Sequence, residues 1–251
     1  VAIEWFYLLL LITGFIAGII NTLAGGGSNL TVPALMVLGM PADVANATNR
    51  VGVFFQSLSA SAGFAKRGKL PRQSIIPVLL PTLCGGLVGA GIAAIAPVSI
   101  LKPLLLGTMI TMAVVMLVSP GLVAPEPHEQ PRRVTESPLA LFGLFAAGVY
   151  GGFVQAGVGF VLLAAIAGGL RYDLVRANAL KVLCALGFTG VALVVFIADG
   201  LVQWLPGLAL AASASLGAAV AVKWSLNVSQ RTLKWFLLVM TLAASAAAML
   251  S

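Results

Sequence analysis

Apolar residues fall in blocks along this chain, and polar clusters mark where each block stops. The blocks cover residues 4–24, 29–38, 44–65, 74–96 and 101–118, then 138–156, 158–168, 174–198, 204–222 and 233–250. Most reach the roughly 20 residues that a helix needs to cross a ~30 Å hydrocarbon core. Two do not: blocks 29–38 and 158–168 make helices of only about 15–17 Å at ~1.5 Å per residue. Each follows a break, Gly25-Gly26-Gly27-Ser28 in one case and Gln155-Ala156-Gly157-Val158-Gly159 in the other. Glycine is among the poorest helix formers, and irregular backbone at membrane depth survives only inside protein or against a water-filled cavity. The pattern predicts an all-α polytopic membrane protein. Residues 4–38 and 138–168 are expected to form re-entrant helical hairpins, each followed by three transmembrane helices: 44–65, 74–96 and 101–118, then 174–198, 204–222 and 233–250. Ten full spans is the alternative.

Composition fits a bilayer and excludes a water-soluble domain. Of 251 residues, 60% are hydrophobic and 8% charged, against about 25% charged in soluble proteins; the mean hydropathy is +1.08. The net charge of +7 sits mostly in short loops, as cytoplasmic loops require, so no nucleic-acid partner is expected. Val1–Tyr7 lacks a basic n-region, and no cleavable signal is expected there. Cys84 and Cys184 lie in apolar blocks and are expected to be structural thiols. Residues 120–137 are proline-rich and contain His128; they are expected to be a cytoplasmic linker between a first repeat, 1–119, and a second, 138–251. The sequence leaves the oligomeric state open.

The halves resemble each other. A shift of 132 places Asn46 on Asn178, Asn49 on Lys181 and Gly85 on Gly217, and near the starts a shift of 134 places Gly14, Gly18 and Asn21 on Gly148, Gly152 and Gln155. The loop after 44–65 reads KRGKLPR, whereas its counterpart after 174–198 reads DGLVQ and has no base. Equivalent loops of opposite charge character belong on opposite sides of the membrane, which makes the repeats inverted. The GxxxG spacings (Gly14/Gly18, Gly85/Gly89, Gly148/Gly152) are read as close helix packing.

Polar content gathers near the breaks. Ser28 and Asn29 are N-cap types, and freed N–H groups ahead of Leu30 would form an anion nest with Gly25, Gly26 and Gly27. A tight turn between packed arms is the alternative. Asn46, Thr48, Asn49 and Arg50 open one long block, and Arg176, Asn178 and Lys181 open its partner. Ionisable residues inside a span default to a functional hypothesis; for Arg50 and Lys181 the alternative is snorkelling to nearby headgroups, and for Arg176 that is the preferred reading. Asp and Glu sit only at block ends, so basic groups, amides and helix N-termini favour an anionic guest. The expected substrate-binding set is Gly25, Gly26, Gly27, Ser28, Asn29, Asn46, Thr48, Asn49 and Arg50, with Gln155, Asn178 and Lys181 as symmetry partners. No catalytic residue, metal ligand or cofactor is expected, because nothing pairs a nucleophile with a base.

The stretches GFIAGIINTLAGGGSNLTVPALMVLGMPADVANATNRVG, KRGKL, GGFVQAGVGF and VRANALKVL resemble the TauE/SafE family of sulfite and organosulfonate permeases, also called the 4-toluene sulfonate uptake permease family. The resemblance covers nearly the whole chain. It implies a multi-pass transporter of the bacterial inner membrane that exports sulfite or a related small sulfur-containing anion by alternating access. The second half departs from the pattern, with QAGVG where many relatives have a second glycine-rich triplet. An anion channel and, less favoured, a membrane-embedded enzyme are the alternatives.

Overall fold

The computed structural model describes residues 2–95, 130–155 and 157–227. The expected spans at 101–118 and 233–250, the linker up to residue 129 with His128, and Ala156 lie outside the described residues. Every long element described is helical: α1 (Ala2–Leu23), α2 (Ser28–Val37), α3 (Ala42–Lys66), α4 (Ile75–Ile95), α5 (Pro138–Phe153), α6 (Val158–Leu163), α7 (Leu174–Ala198) and α8 (Trp204–Asn227). A single π-type turn over Ala164–Gly169 continues α6. The protein is an all-α polytopic membrane protein, with helices over Trp5–Leu23, Arg72–Ala93, Leu174–Ala198 and Trp204–Asn227 long and apolar enough to cross a bilayer.

Both breaks end a helix in the same way. The N–H groups of Ala24 and Gly25 both return to the Ile20 carbonyl, and Gly25 takes a φ of +99°. This is the left-handed ending that glycine adopts at little cost. At the end of α5 the N–H groups of Val154 and Gln155 return to the Tyr150 carbonyl, and Gln155 takes a φ of +67°. A side chain held in that region costs roughly 1–2 kcal/mol, so Gln155 is kept there by its surroundings.

The helices assemble crosswise between the halves. α1 lies along α8, α4 lies along α5, and α3 and α7 form the middle. α3 and α7 run antiparallel: Phe64, near the end of α3, clusters with Ala179 and Val182 near the start of α7. Phe196, near the end of α7, clusters with Ala47 near the start of α3. Trp5 and Ile12 of α1, Ile76 and Leu87 of α4, and Leu205 and Leu216 of α8 are exposed apolar side chains; they form the surface that lipid would cover.

Close backbone approaches join the two halves. A Cβ placed on Gly18 would lie 2.2 Å from the Ala214 carbonyl oxygen, and one on Gly148 would lie 2.3 Å from the Thr82 carbonyl oxygen, so each glycine lets its helix press against the backbone of a helix from the other half.

Candidate functional site

The breaks touch. A Cβ on Gly25 would lie 2.2 Å from the Cα of Gly159, and one on Gly159 would lie 2.2 Å from the Cα of Gly25. Around this contact buried polar residues, Ser28, Thr31, Asn49, Gln56, Ser57, Gln155, Lys181 and Thr189, stand among buried apolar ones such as Val53, Val158 and Val182. Two small hollows flank Asn21 and Gln56, each about 10 Å³, which is room for roughly one water molecule. The side chains of Asn21 and Gln56 join, with Asn21 Nδ2 donating to Gln56 Oε1 at 3.0 Å.

The first hollow is bounded by Asn21, Gly27, Ser28, Thr31, Asn49 and Gln56. Asn49 ties α2 to α3: its Nδ2 donates to Ser28 Oγ at 3.1 Å, and its Oδ1 accepts from Thr31 Oγ1 at 2.6 Å. The expected cap at Ser28 or Asn29 is corrected. α2 begins at Ser28, Gly27 holds the N-cap position, and no side chain caps the helix. The N–H groups of Asn29, Leu30 and Thr31 turn back to the carbonyls of Gly26 and Gly27, because a compact glycine turn brings those carbonyls within reach. The anion nest expected there is therefore engaged at these three positions.

The second hollow is bounded by Gly25, Gly159, Asn21, Gln56, Ser57, Gln155 and Lys181. Lys181 is 2% exposed; its Nζ donates to the Thr22 carbonyl at 2.9 Å and to Asn178 Oδ1 at 2.7 Å. Gln155 Nε2 donates to Thr189 Oγ1 at 2.9 Å, while Gln155 Oε1 and Ser57 Oγ are buried without a partner.

Six expected residues do not line either hollow. Arg50, 0% exposed, donates to the carbonyls of Gly151, Gly152 and Phe153 at 2.5, 3.0 and 3.2 Å. Its Cζ lies 5.4 Å from the Phe196 ring centroid. Asn46 Nδ2 also donates to the Phe153 carbonyl, at 3.3 Å. These are the carbonyls that a helix leaves unpaired in its last turn, where the dipole favours a cation. Thr48 Oγ1 accepts from the Gln203 N–H at 3.1 Å just before α8, Asn178 supports Lys181, Gly26 lies beside the Phe160 ring, and Asn29 Oδ1 is buried without a partner. Neither Arg50 nor Lys181 snorkels. Arg176 is exposed and pairs with Asp173, Nε to Oδ2 at 3.5 Å.

Asn21, Thr31, Gln56, Ser57 and Thr189 belong to the polar centre but not to the set expected from sequence. The available signal was spacing: Gln56 follows Asn49 by seven residues, two helical turns along one face.

Comparison with known proteins agrees with this architecture. The family described as sulfite exporter TauE/SafE matches residues 10–248. A probable membrane transporter protein, ORF9, from a Sinorhizobium species is 29% identical over 93% of this chain and 88% of its own length. A probable membrane transporter protein from Haemophilus influenzae is 27% identical over 95% of this chain and 92% of its own. The probable membrane transporter protein YfcA of Escherichia coli is 28% identical over 94% and 87%, respectively. The chain belongs to the sulfite exporter TauE/SafE family of membrane transporters.

Proposed function

We propose that this transporter moves sulfite or a closely related small sulfur oxyanion, in the direction of export, through the centre where the two breaks meet. One observation carries the reading. Gly25 and Gly159 touch beside a hollow whose single charged wall residue is Lys181, and no Asp or Glu is among the buried residues described. A cation site or a carboxylate proton relay calls for an acid at depth; a lysine, amides and hydroxyls suit an anion. Lys181, Gln155, Gly25, Gly27, Ser28 and Asn49 are the sequence-derived residues retained as substrate contacts, joined by Asn21, Gln56 and Ser57.

We also propose that residues 1–119 and 138–251 are inverted repeats, each with a re-entrant hairpin. The antiparallel α3 and α7 support this, as do the matching helix endings at Gly25 and Gln155. Hollows of about 10 Å³, too small for a continuous pore, suit a carrier that exposes its centre to one side at a time.

The test is efflux of labelled sulfite from proteoliposomes. Flux in wild type that falls at least tenfold in Lys181→Met supports the reading. Absence of flux for sulfite, sulfate, thiosulfate and sulfonates alike overturns it.

A further inference from the structure

Two hydroxyls on the seam between α3 and α7 are buried with no bond to show for it. Ser57 is 1% and Ser61 6% exposed, and both Oγ atoms lack a partner. The buried serines of α8 behave otherwise: Ser213 donates to the Leu210 carbonyl and Ser225 to the Val222 carbonyl of their own helix. Four residues apart, Ser57 and Ser61 stand one above the other on α3. Ser57 borders the second hollow together with Lys181, Val182 and Ala185, so this face is turned to α7. Phe64, three residues beyond Ser61, closes the row against Ala179 and Val182. The pair therefore lies between the hollow and Phe64.

Toward the other side the same stretch is apolar. The shift of 132 that sets Asn46 on Asn178 also sets Ser57 on Thr189, Ser61 on Leu193 and Phe64 on Phe196. Both phenylalanines are buried, at opposite ends of the α3/α7 pair. Between Phe196 and the centre, however, Leu193 packs with Val51 and Ala211, and the Thr189 hydroxyl is bonded to Gln155. Asn46 Oδ1 and Arg50 Nε are unpartnered on that side, but both side chains are fixed through their other nitrogens to the α5 carbonyls.

A buried hydroxyl without a partner costs stability, and each such group calls for an explanation. In a molecule that must open its centre, these groups find partners when the seam parts. A hydroxyl donates to an oxyanion, which a leucine cannot do. Charge points the same way. The loop beyond Phe64 exposes Lys66, Arg67, Lys69 and Arg72, and its Leu70 packs against the Phe64 cluster. At the far end of the seam Asp43 lies in the first turn of α3 and Asp199 follows α7, with no exposed base among the described residues there. A basic mouth raises the local concentration of anions.

We infer that the anion loads from the side of the Lys66–Arg72 loop, passing Phe64 and then the hydroxyls of Ser61 and Ser57 to reach Lys181. This loading route rests on the transport reading above and gives it a direction, since basic loops lie on the cytoplasmic side. Ser61 then serves the path without belonging to the centre.

The test has two arms. In a protein with Cys84 and Cys184 replaced, Ser61→Cys should react with an impermeant anionic thiol reagent added on the Lys66–Arg72 side. Its rate should exceed by at least tenfold that of Leu193→Cys exposed to the same reagent on the other side. In the second arm, Ser61→Ala should unfold in detergent at the same temperature as wild type or higher, because it deletes an unbonded hydroxyl. Sulfite efflux from proteoliposomes should nonetheless fall about threefold, and about tenfold when Ser57→Ala is added. A hydroxyl kept for packing would lose stability and flux together. Equal labelling rates, a faster rate at Leu193→Cys, a Ser61→Ala protein that unfolds earlier, or one that keeps full flux each overturn the route while leaving sulfur-anion transport intact. Absence of wild-type flux overturns the transport reading instead, and the labelling rates still decide the side from which the seam opens.

Discussion

The ammonium of Lys181 lies 2.9 Å from the carbonyl oxygen of Thr22, so a lysine from the second half holds the end of the first broken helix. Arg50 does the reverse, donating to Gly152 at 3.0 Å and to its two neighbours at the end of α5. Thr22 and Gly152 are 130 positions apart, as are Gly18 and Gly148. Each cation therefore completes a helix that its own half does not contain. The negative end of a helix dipole supplies its counter-charge, which explains how both sit buried without an acid beside them.

Arg50→Met is expected to destabilise the protein by about 2–3 kcal/mol, since carbonyls left unpaired in a dry interior cost about 1–3 kcal/mol. Arg50→Lys should recover part of this, because an ammonium cannot span three carbonyls as a planar guanidinium does. Thermal unfolding in detergent, compared across the two variants, gives the order.

Gly25→Ala and Gly159→Ala should each be severe, because the added methyl would lie 2.2 Å from the opposing Cα. Overpacking of this kind costs typically 1–3 kcal/mol, and Gly25 adds roughly 1–2 kcal/mol for its left-handed backbone. Gly68→Ala is the control: its φ is +65° but nothing lies within 4 Å of the new methyl. It should show only the backbone cost, and equal losses at Gly68 and Gly25 would argue against the contact.

Asn49→Leu removes both bonds that pin α2 to α3. Amide hydrogen exchange across Ser28–Val37 should then accelerate by roughly tenfold, corresponding to about 1–1.5 kcal/mol of lost anchoring. Exchange across α4 should be unchanged.

Phe64 and Phe196 sit buried near opposite ends of the antiparallel α3/α7 pair, with the hollow at Ser57 and Lys181 between them. In a Ser57→Cys protein with Cys84 and Cys184 replaced, Phe64→Ala should raise labelling by an impermeant thiol reagent from the side of the Lys66–Arg72 loop. Phe196→Ala should raise it from the other side. Equal labelling from both sides in either variant would contradict the arrangement.

Much of this was legible in the sequence, and the exceptions have physical causes. Block lengths and scarce charge gave the helical membrane fold, and the glycine triplet marked the first break. Gln155 is not a residue that sequence flags for a left-handed backbone; it sits there bonded to Thr189 of its own half and beside a hollow that it shares with Asn21, Gly25 and Gln56 of the other. Arg50 and Lys181 stood out as charges at depth, but their partners lie 101 and 159 residues away and are backbone carbonyls, which carry no side-chain signature. The glycines Gly14, Gly18, Gly148 and Gly152 repeat at one helical turn, so they alone do not set a register between the first arms.

The reciprocal caps also bear on biogenesis. When α1 leaves the ribosome its final carbonyl groups have no lysine to meet, and Lys181 follows Thr22 by 159 residues. At ~5–20 residues per second of synthesis, the nascent chain waits roughly 8–32 s with that helix terminus open, and needs the insertion machinery or lipid-borne water to shelter it meanwhile. Expressed separately, the two gene halves would each yield an unfinished product, and only co-expression would restore a folded molecule.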